Sequence, residues 1–392
     1  MAGATNYAFR SLCREFGAAL YVSEMITARG LLEGNARTRL LASSRPDESP
    51  RSVQLYGSDP ATLGDAARRL ADEGVDHTDL NFGCPAPKIT RQGGGSAIPA
   101  RPRLMARLVA AAVAGAGRVP VTVKVRKGLN ERLLTYRDAG RVAEAEGAVA
   151  IGLHARTAAE LYAGSADWAA IADLKALVAI PVLGNGDVWE ATDAIRMLRA
   201  TGCDGIIVGR GCLRRPWLFR ELAAVFDGRT PGDQPTLGAI VALMRDHARR
   251  LVDFFGPERG IAEMRKWCLW YTSGFRGAAG VRAALPRMRT QADLDGSWRV
   301  WIRTSRSPRE AFVPAPRRTA GDRTCGCLRA GWTSATTTGC RSSRRTAPRG
   351  TLRCPAAEVP RARSFYNSRP PRERPASGQL AVYGPTWPRP SW

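Results

Sequence analysis

The sequence predicts an α/β protein: a TIM (β/α)8 barrel, then a small all-α domain and a basic tail without a core. Three observations carry this. Through residues 51–210, short apolar runs alternate with amphipathic stretches of helical length, and strand–helix–strand repeated this often requires parallel pairing through right-handed crossovers. Polar residues stand at or just beyond the C-terminal ends of nearly every run, namely Gln54, Asn81, Lys124, His154, Asn185 and Arg210. A barrel gathers its site from many strand ends in this way, whereas a doubly wound sheet concentrates it near one switch point. After residue 235 the strand runs stop while helical spacing continues.

In chain order, a helix around Tyr7–Glu15 leads into a strand at Ala19–Ser23. Strands follow at Ser52–Tyr56, His77–Asn81, Val121–Val125, Ala150–His154, Pro181–Gly184 and Gly205–Gly209, seven in all, one short of a closed barrel. Leu63, Ala66, Ala67, Leu70 and Ala71 recur at i, i+3, i+4, i+7 and i+8, the spacing of a helix with one buried face. Leu104, Leu108, Ala111 and Ala112 repeat it, as do Ala191, Ile195 and Leu198. Pro216–Leu222 reads as a last barrel-associated helix. The expected division is a barrel over 1–230, a helical domain over 235–295 and a disordered Arg/Pro-rich tail over 296–392.

The charge distribution supports that division. The chain carries a formal +24, and residues 297–392 contribute +15 of it through 19 arginines, no lysine and four acidic residues. The tail also holds 12 of the 26 prolines and half of the ten tryptophans, without apolar periodicity. Such a composition cannot bury a core well enough to offset chain entropy. Out-of-frame translation of an Arg-rich coding region would produce the same pattern. The first 296 residues are left with +9, a moderate bias toward polyanions. No apolar run reaches the length of a membrane span, and the N-terminus lacks a signal-peptide core. Nine cysteines, an odd number, fit reduced thiols in the cytoplasm better than a disulfide framework. Cys325-Gly-Cys327 has no second pair or histidine beside it, so no metal site is expected.

Asp79-Leu80-Asn81-Phe82-Gly83-Cys84-Pro85 is the densest group of chemically capable residues. A thiol followed by proline at a strand end sits on a rigid turn at the barrel mouth. Thiols, with a reference pKa of about 8.5, are mostly protonated at neutral pH and can act as general acid as well as nucleophile. The other reading of Cys84 is a small buried hydrophobe. Lys124 is a charge in an otherwise apolar strand. Pointing inward it implies an anionic or electron-rich ligand; pointing outward it would snorkel between helices. His154-Ala155-Arg156-Thr157 brings a ring donor and a guanidinium to another strand end. Gly184-Asn185-Gly186-Asp187 and Gly205 to Gly211 flank the last strands, where barrels place phosphates. Neither is a dinucleotide fingerprint. Together these residues describe a flat, phosphorylated, electron-rich cofactor, and FMN fits better than NAD.

The chain resembles the tRNA-dihydrouridine synthase family, most nearly its bacterial B-type branch. The matching segments are Met1–Thr5 with Phe9-Arg10, Ser23-Glu24-Met25, Val53-Gln54-Leu55 with Gly57–Pro60, and Asn81–Pro85 with Lys88. They continue through Lys124–Arg126, His154–Thr157, Asn185–Asp187, Gly209-Arg210 and Arg215–Trp217, spanning roughly residues 1–295. The resemblance implies an FMN barrel with a helical tRNA-contacting domain, reducing uridine in tRNA to 5,6-dihydrouridine with NADPH as reductant, as a cytoplasmic monomer. It implies that Cys84 protonates C5 of the base while hydride reaches C6. It implies FMN contacts from Met1, Ala2, Gln54, Lys124, His154, Arg156, Asn185, Gly186, Asp187, Gly209 and Arg210, with Asn81 orienting the base. The alternatives are an FMN barrel reducing a free pyrimidine and a non-catalytic tRNA-binding remnant. The family also has a barrel strand before the match to Met1 and a final helix near Ala292–Asp295. Their absence here would leave two open sheet edges and replace the helix by tail.

Overall fold

The computed structural model describes residues 3–17, 20–273, 275 and 278–304, together with the backbone of 381–383. Seven parallel strands form the sheet: β1 (Val22–Thr27), β2 (Ser52–Tyr56), β3 (His77–Phe82), β4 (Val121–Asn130), β6 (Ala150–Thr157), β7 (Val182–Asn185) and β8 (Gly205–Ile207). β5 (Leu133–Leu134) folds back on β4 as an antiparallel hairpin, and β9 (Ala381–Tyr383) lies antiparallel on β8. The order β1-β2-β3-β4-β6-β7-β8-β9 curls the parallel strands into an incomplete barrel, with the seven parallel strands the alternation implied. Crossover helices cover its outside.

Local chemistry explains where the helices start. Asn6 caps helix Tyr7–Arg14 by accepting the Phe9 N–H at 3.1 Å, and Asp59 caps Pro60–Asp72 by accepting the Thr62 N–H at 2.8 Å. Each satisfies a backbone donor that the first helical turn leaves without a partner. Glu190 and Asp193 form a reciprocal capping box at Ala191–Thr201, and Gly202 ends that helix in the left-handed conformation. Leu63, Ala66, Ala67 and Leu70 are all buried, as are Leu108 and Ala112 on Pro102–Ala116, so the periodic faces pack inward as the spacing requires.

Four boundaries differ from the sequence expectation. The first strand is Val22–Thr27, with Leu20 and Tyr21 preceding it and Ala19 outside the described residues. β4 runs on to Asn130 because it continues into the hairpin. The helix expected at Pro216 starts at Leu218 and runs to Phe226. The last helix is not replaced by tail: Gln291–Thr304 crosses residue 296, with Leu294, Trp298 and Trp301 buried. Those residues supply the apolar face that the tail's overall composition hides. The β8 edge is not left open either, since Ala381–Tyr383 pairs with it.

The helices after the barrel are Leu237–Phe255, Pro257–Tyr271, Ala279–Ala284 and Gln291–Thr304. They close over the N-terminal helix. Phe9 sits 4.2 Å from the Trp267 ring and 5.7 Å from His247 between centroids, and the Arg250 guanidinium bonds Ser11 at 3.1 Å. Barrel and helices belong to one compact unit.

Candidate active site

β3 and β4 put polar side chains on the inside of the sheet and apolar ones outside. Leu80, Phe82, Val123 and Val125 are fully buried against the outer layer. His77, Asp79 and Asn81 face inward on β3, and Thr122, Lys124 and Arg126 do so on β4. The strand period of two produces both rows.

The turn after β3 carries Cys84 and is braced from three directions. Asn81 Oδ1 accepts the Gly83 N–H at 3.2 Å and the Cys84 N–H at 2.9 Å. Arg126 Nε donates to the Gly83 carbonyl at 3.0 Å, and Ser96 N–H donates to the Cys84 carbonyl at 3.0 Å. The last contact needs glycine at position 95, where φ is +56° and a Cβ would lie 2.4 Å from the Cys84 carbonyl oxygen. Cys84 is half-buried, unlike the fully buried Cys13, Cys203, Cys212 and Cys268. Its exposure at a fixed turn separates it from the structural thiols.

Lys124 points inward. Its Nζ donates to Asn185 Oδ1 at 2.8 Å, and Asn185 Nδ2 donates to the Ile207 carbonyl at 2.7 Å, so β4, β7 and β8 are tied across the interior. Gly152 beside it gives Ile207 room: a Cβ there would lie 2.6 Å from Ile207 Cδ1, and at ordinary contact, 3.6 Å, from Lys124 Cδ. Burial pulls the Lys124 amine down to about 7; Asp79 opposes that shift and Arg126 adds to it. Such an amine has lost its water and gains most from an anionic or electron-rich partner.

The ends of β6, β7 and β8 form a cationic corner. Arg156, 1% exposed, donates to the Ala163 and Gly164 carbonyls at 2.9 and 2.8 Å and pairs with Asp187 at 2.8 Å. Asp187 also accepts the Ala166 N–H at 2.7 Å, so its carboxylate orients Arg156 and the loop. Arg156 Nη1 is buried without a hydrogen-bond partner. A Cβ on Gly186, whose φ is +130°, would lie 3.9 Å from that nitrogen. At Gly209 an added Cβ would meet only Asn185 Nδ2, at 3.8 Å, so the backbone there is approachable. His154 is held neutral, its pKa pulled down to about 2 by burial and by the charges of Lys124, Arg126, Arg156 and Arg210.

The structure thus brings together Gln54, Asn81, Cys84, Lys124, His154, Arg156, Asn185, Gly186, Asp187, Gly209 and Arg210 around one strand-end face. Met1 and Ala2 lie outside the described residues. Three neighbours went unassigned in the sequence reading. Arg126 lies two residues beyond Lys124 on the same strand, a signal the alternation already contained. Tyr162 receives Arg210 4.4 Å and Arg126 5.6 Å from its ring centroid, and Trp189 takes Arg210 from 5.1 Å. Those two aromatics sit in loops with no periodicity to read. Among the described residues no cluster of His, Cys, Asp or Glu could hold a metal ion.

A parallel barrel with a thiol on a braced turn, a desolvated lysine and an arginine-lined corner is the architecture of an enzyme acting at its strand ends. Comparison with known proteins makes this specific. The dihydrouridine synthase family model matches residues 1–302. A probable tRNA-dihydrouridine synthase of Mycobacterium leprae is 50% identical over 325 residues, covering 75% of this chain and 85% of that protein. A probable tRNA-dihydrouridine synthase of Mycobacterium tuberculosis is 51% identical over 306 residues, covering 75% and 79%. The tRNA-dihydrouridine synthase B of Pseudomonas aeruginosa is 37% identical over 290 residues, covering 74% and 86%. The chain belongs to the dihydrouridine synthase family and is an enzyme of that type. The family match ends inside helix Gln291–Thr304, in agreement with the buried tryptophans there.

Proposed function

We propose that this protein reduces the C5–C6 double bond of uridine in tRNA to 5,6-dihydrouridine, with bound FMN and with NADPH as the source of electrons. The observation that carries the reading is the half-buried Cys84 thiol, held on a turn braced by Asn81 and Arg126, in a chain of this family. The residues fit a flat phosphorylated cofactor. Lys124, Gln54 and Asn185 offer polar atoms across the mouth, while Arg156 Nη1 is a buried donor still in need of an acceptor. Gly209 leaves the nearby backbone bare, as close approach of a phosphate demands.

When bound, FMN would pass the hydride equivalent of NADPH to C6 of the base. The chain's own task is the other hydrogen. Adding hydride at C6 builds enolate-like charge at C5 and O4, so a positioned acid lowers the barrier, typically by about 10²–10⁴-fold. Cys84 Sγ gives its proton to C5 and regains one from solvent, so uridine, NADPH and one proton yield dihydrouridine and NADP⁺. Arg126, whose Nε donates to the Gly83 carbonyl at 3.0 Å, holds the backbone of the turn that carries the thiol. Neutral His154 can donate or accept a hydrogen bond but adds no positive charge. The base must leave its stack to reach the mouth. The +9 of residues 1–296 favours the tRNA backbone, so binding should weaken with salt.

Flavin absorbance of the purified chain, followed by anaerobic NADPH and then tRNA, tests the proposal. Yellow protein that bleaches with NADPH and recovers on adding unmodified tRNA, with dihydrouridine found in the RNA, supports it. Colourless protein that stays so after FMN is added would overturn the cofactor assignment. Product formed only from free pyrimidines would overturn the substrate.

A further inference from the structure

We infer that Asp79 is a positioning residue: its carboxylate sets the direction in which the Gln54 and Asn81 amides face, and thereby holds the Cys84 turn in place. A continuous line of buried hydrogen bonds connects the barrel floor to that turn. Ser52 Oγ meets His77 Nδ1 at 2.7 Å, His77 Nε2 meets Thr122 Oγ1 at 3.0 Å, and Thr122 Oγ1 meets Asp79 Oδ1 at 2.6 Å. From the other carboxylate oxygen, Asp79 Oδ2 meets Gln54 Nε2 at 2.6 Å, and Gln54 Oε1 meets Asn81 Nδ2 at 2.8 Å.

The direction of each mouth-side bond follows from the backbone donors at its end, and the floor-side directions follow from Asp79 as acceptor. Gly83 and Cys84 present backbone N–H groups, which can only donate, so the Asn81 atom facing them is its oxygen. The Asn81 nitrogen therefore faces Gln54, the Gln54 oxygen faces Asn81, and the Gln54 nitrogen faces Asp79, which must accept. On the floor side an ionised Asp79 accepts the Thr122 hydroxyl proton as well. Thr122 then accepts from His77 Nε2–H, and His77 Nδ1 accepts from Ser52. Burial keeps His77 neutral, with its pKa lowered to about 4, so one ring nitrogen donates and the other accepts. Two donor arms thus converge on one carboxylate: burial raises its pKa, and the hydrogen bonds from Thr122 and Gln54 and the nearby Lys124 charge oppose that rise. A neutral acceptor–donor group could not take both arms.

The catalytic part of this inference rests on the proposed uridine reduction; the donor order does not. Asp79→Asn places a donor where one acceptor stood, so one arm must reverse. Reversing the mouth arm aims the Asn81 amide nitrogen at two backbone donors. We expect kcat per bound flavin to fall about tenfold or more, with KM for tRNA within about twofold. Reversing the floor arm instead would spare kcat and switch His77 to the Nδ1–H tautomer, seen in its ring ¹⁵N shifts. A variant unchanged in both would overturn the inference. Adding Thr122→Val to a variant that has lost kcat removes the floor donor and lets the new amide turn its oxygen to Gln54. Recovery of kcat by about threefold, at a lower Tm, is expected; a further loss of kcat would refute the anchor. Should the variants not fold, the wild-type ring ¹⁵N shifts decide: Nε2–H supports the donor order and Nδ1–H overturns it. Wild-type protein that reduces no tRNA uridine would sink the functional reading, while the tautomer measurement would still judge the anchor.

Discussion

The barrel interior and the interior of the helical region are built on opposite principles. Inside β2, β3 and β4, Ser52, Gln54, His77, Asp79 and Thr122 are buried and hydrogen-bonded to one another. Among the helices after residue 235, the buried centre is aromatic: Trp267, Tyr271, Trp298 and Trp301, with Phe9 inserted from the N-terminal helix. His247 there bonds Tyr271 through Nδ1 at 2.9 Å, while its Nε2 and the Trp267 indole nitrogen have no hydrogen-bond partner. Burying polar groups costs free energy that only complete pairing offsets, so the barrel interior is an arrangement suited to directing chemistry. The helical interior gains stability from apolar area and tolerates an unmatched ring nitrogen.

Substitutions in the two interiors should therefore have different signatures. Cys84→Ala tests the barrel mouth. We expect turnover of tRNA uridine to fall at least about hundredfold, with flavin content and Tm little changed, since only the proton donor is removed. Equal loss of activity and flavin would mean that the thiol supports the cofactor instead. Trp298→Ala tests the helical interior. Truncating a fully buried tryptophan should cost about 3–5 kcal/mol in urea unfolding while sparing turnover per folded molecule. An unaffected stability would contradict the place of helix Gln291–Thr304 in the folded unit.

A smaller effect compares the histidines of the two regions. Burial lowers His77 to about 4 and His154 to about 2. His247 is lowered to about 3 by burial, with the Arg250 and Lys266 charges adding to the shift. Below pH 6.5 the unfolded chain binds protons that these folded histidines refuse, so stability is present above 6.5 and is lost as pH falls toward 4. Each contributes a slope of about 1.4 kcal/mol per pH unit in that window. His247→Phe, which suits the aromatic surroundings, should flatten the slope by about that amount in urea midpoints measured from pH 7 to 4. No change in slope would mean that His247 already takes up a proton in the folded state.

Much of the barrel was legible from local pattern. A two-residue alternation marks β3 and β4, a 3.6-residue repeat marks Pro60–Asp72 and Pro102–Ala116, and polar strand ends mark the mouth. The same alternation contains Arg126, two residues beyond Lys124 on the inward row of β4. Trp298 and Trp301 were hidden because the composition of residues 297–392 averages a short helical turn into a long Arg- and Pro-rich stretch.

By itself, then, the sequence determined what depends on neighbours along the chain: the strand and helix periods, the inward row of polar residues, the glycines at the last strand ends and the thiol-proline turn. Only the tertiary structure decided what depends on register between strands. Gln54 meets Asp79 across 25 residues and Asp79 meets Thr122 across 43, so which atom donates to which cannot be read from either segment alone. The pairing of Ala381–Tyr383 with β8 joins segments still farther apart. Hydrogen-bond direction is a property of closed spatial networks, and this one closes only when three strands align.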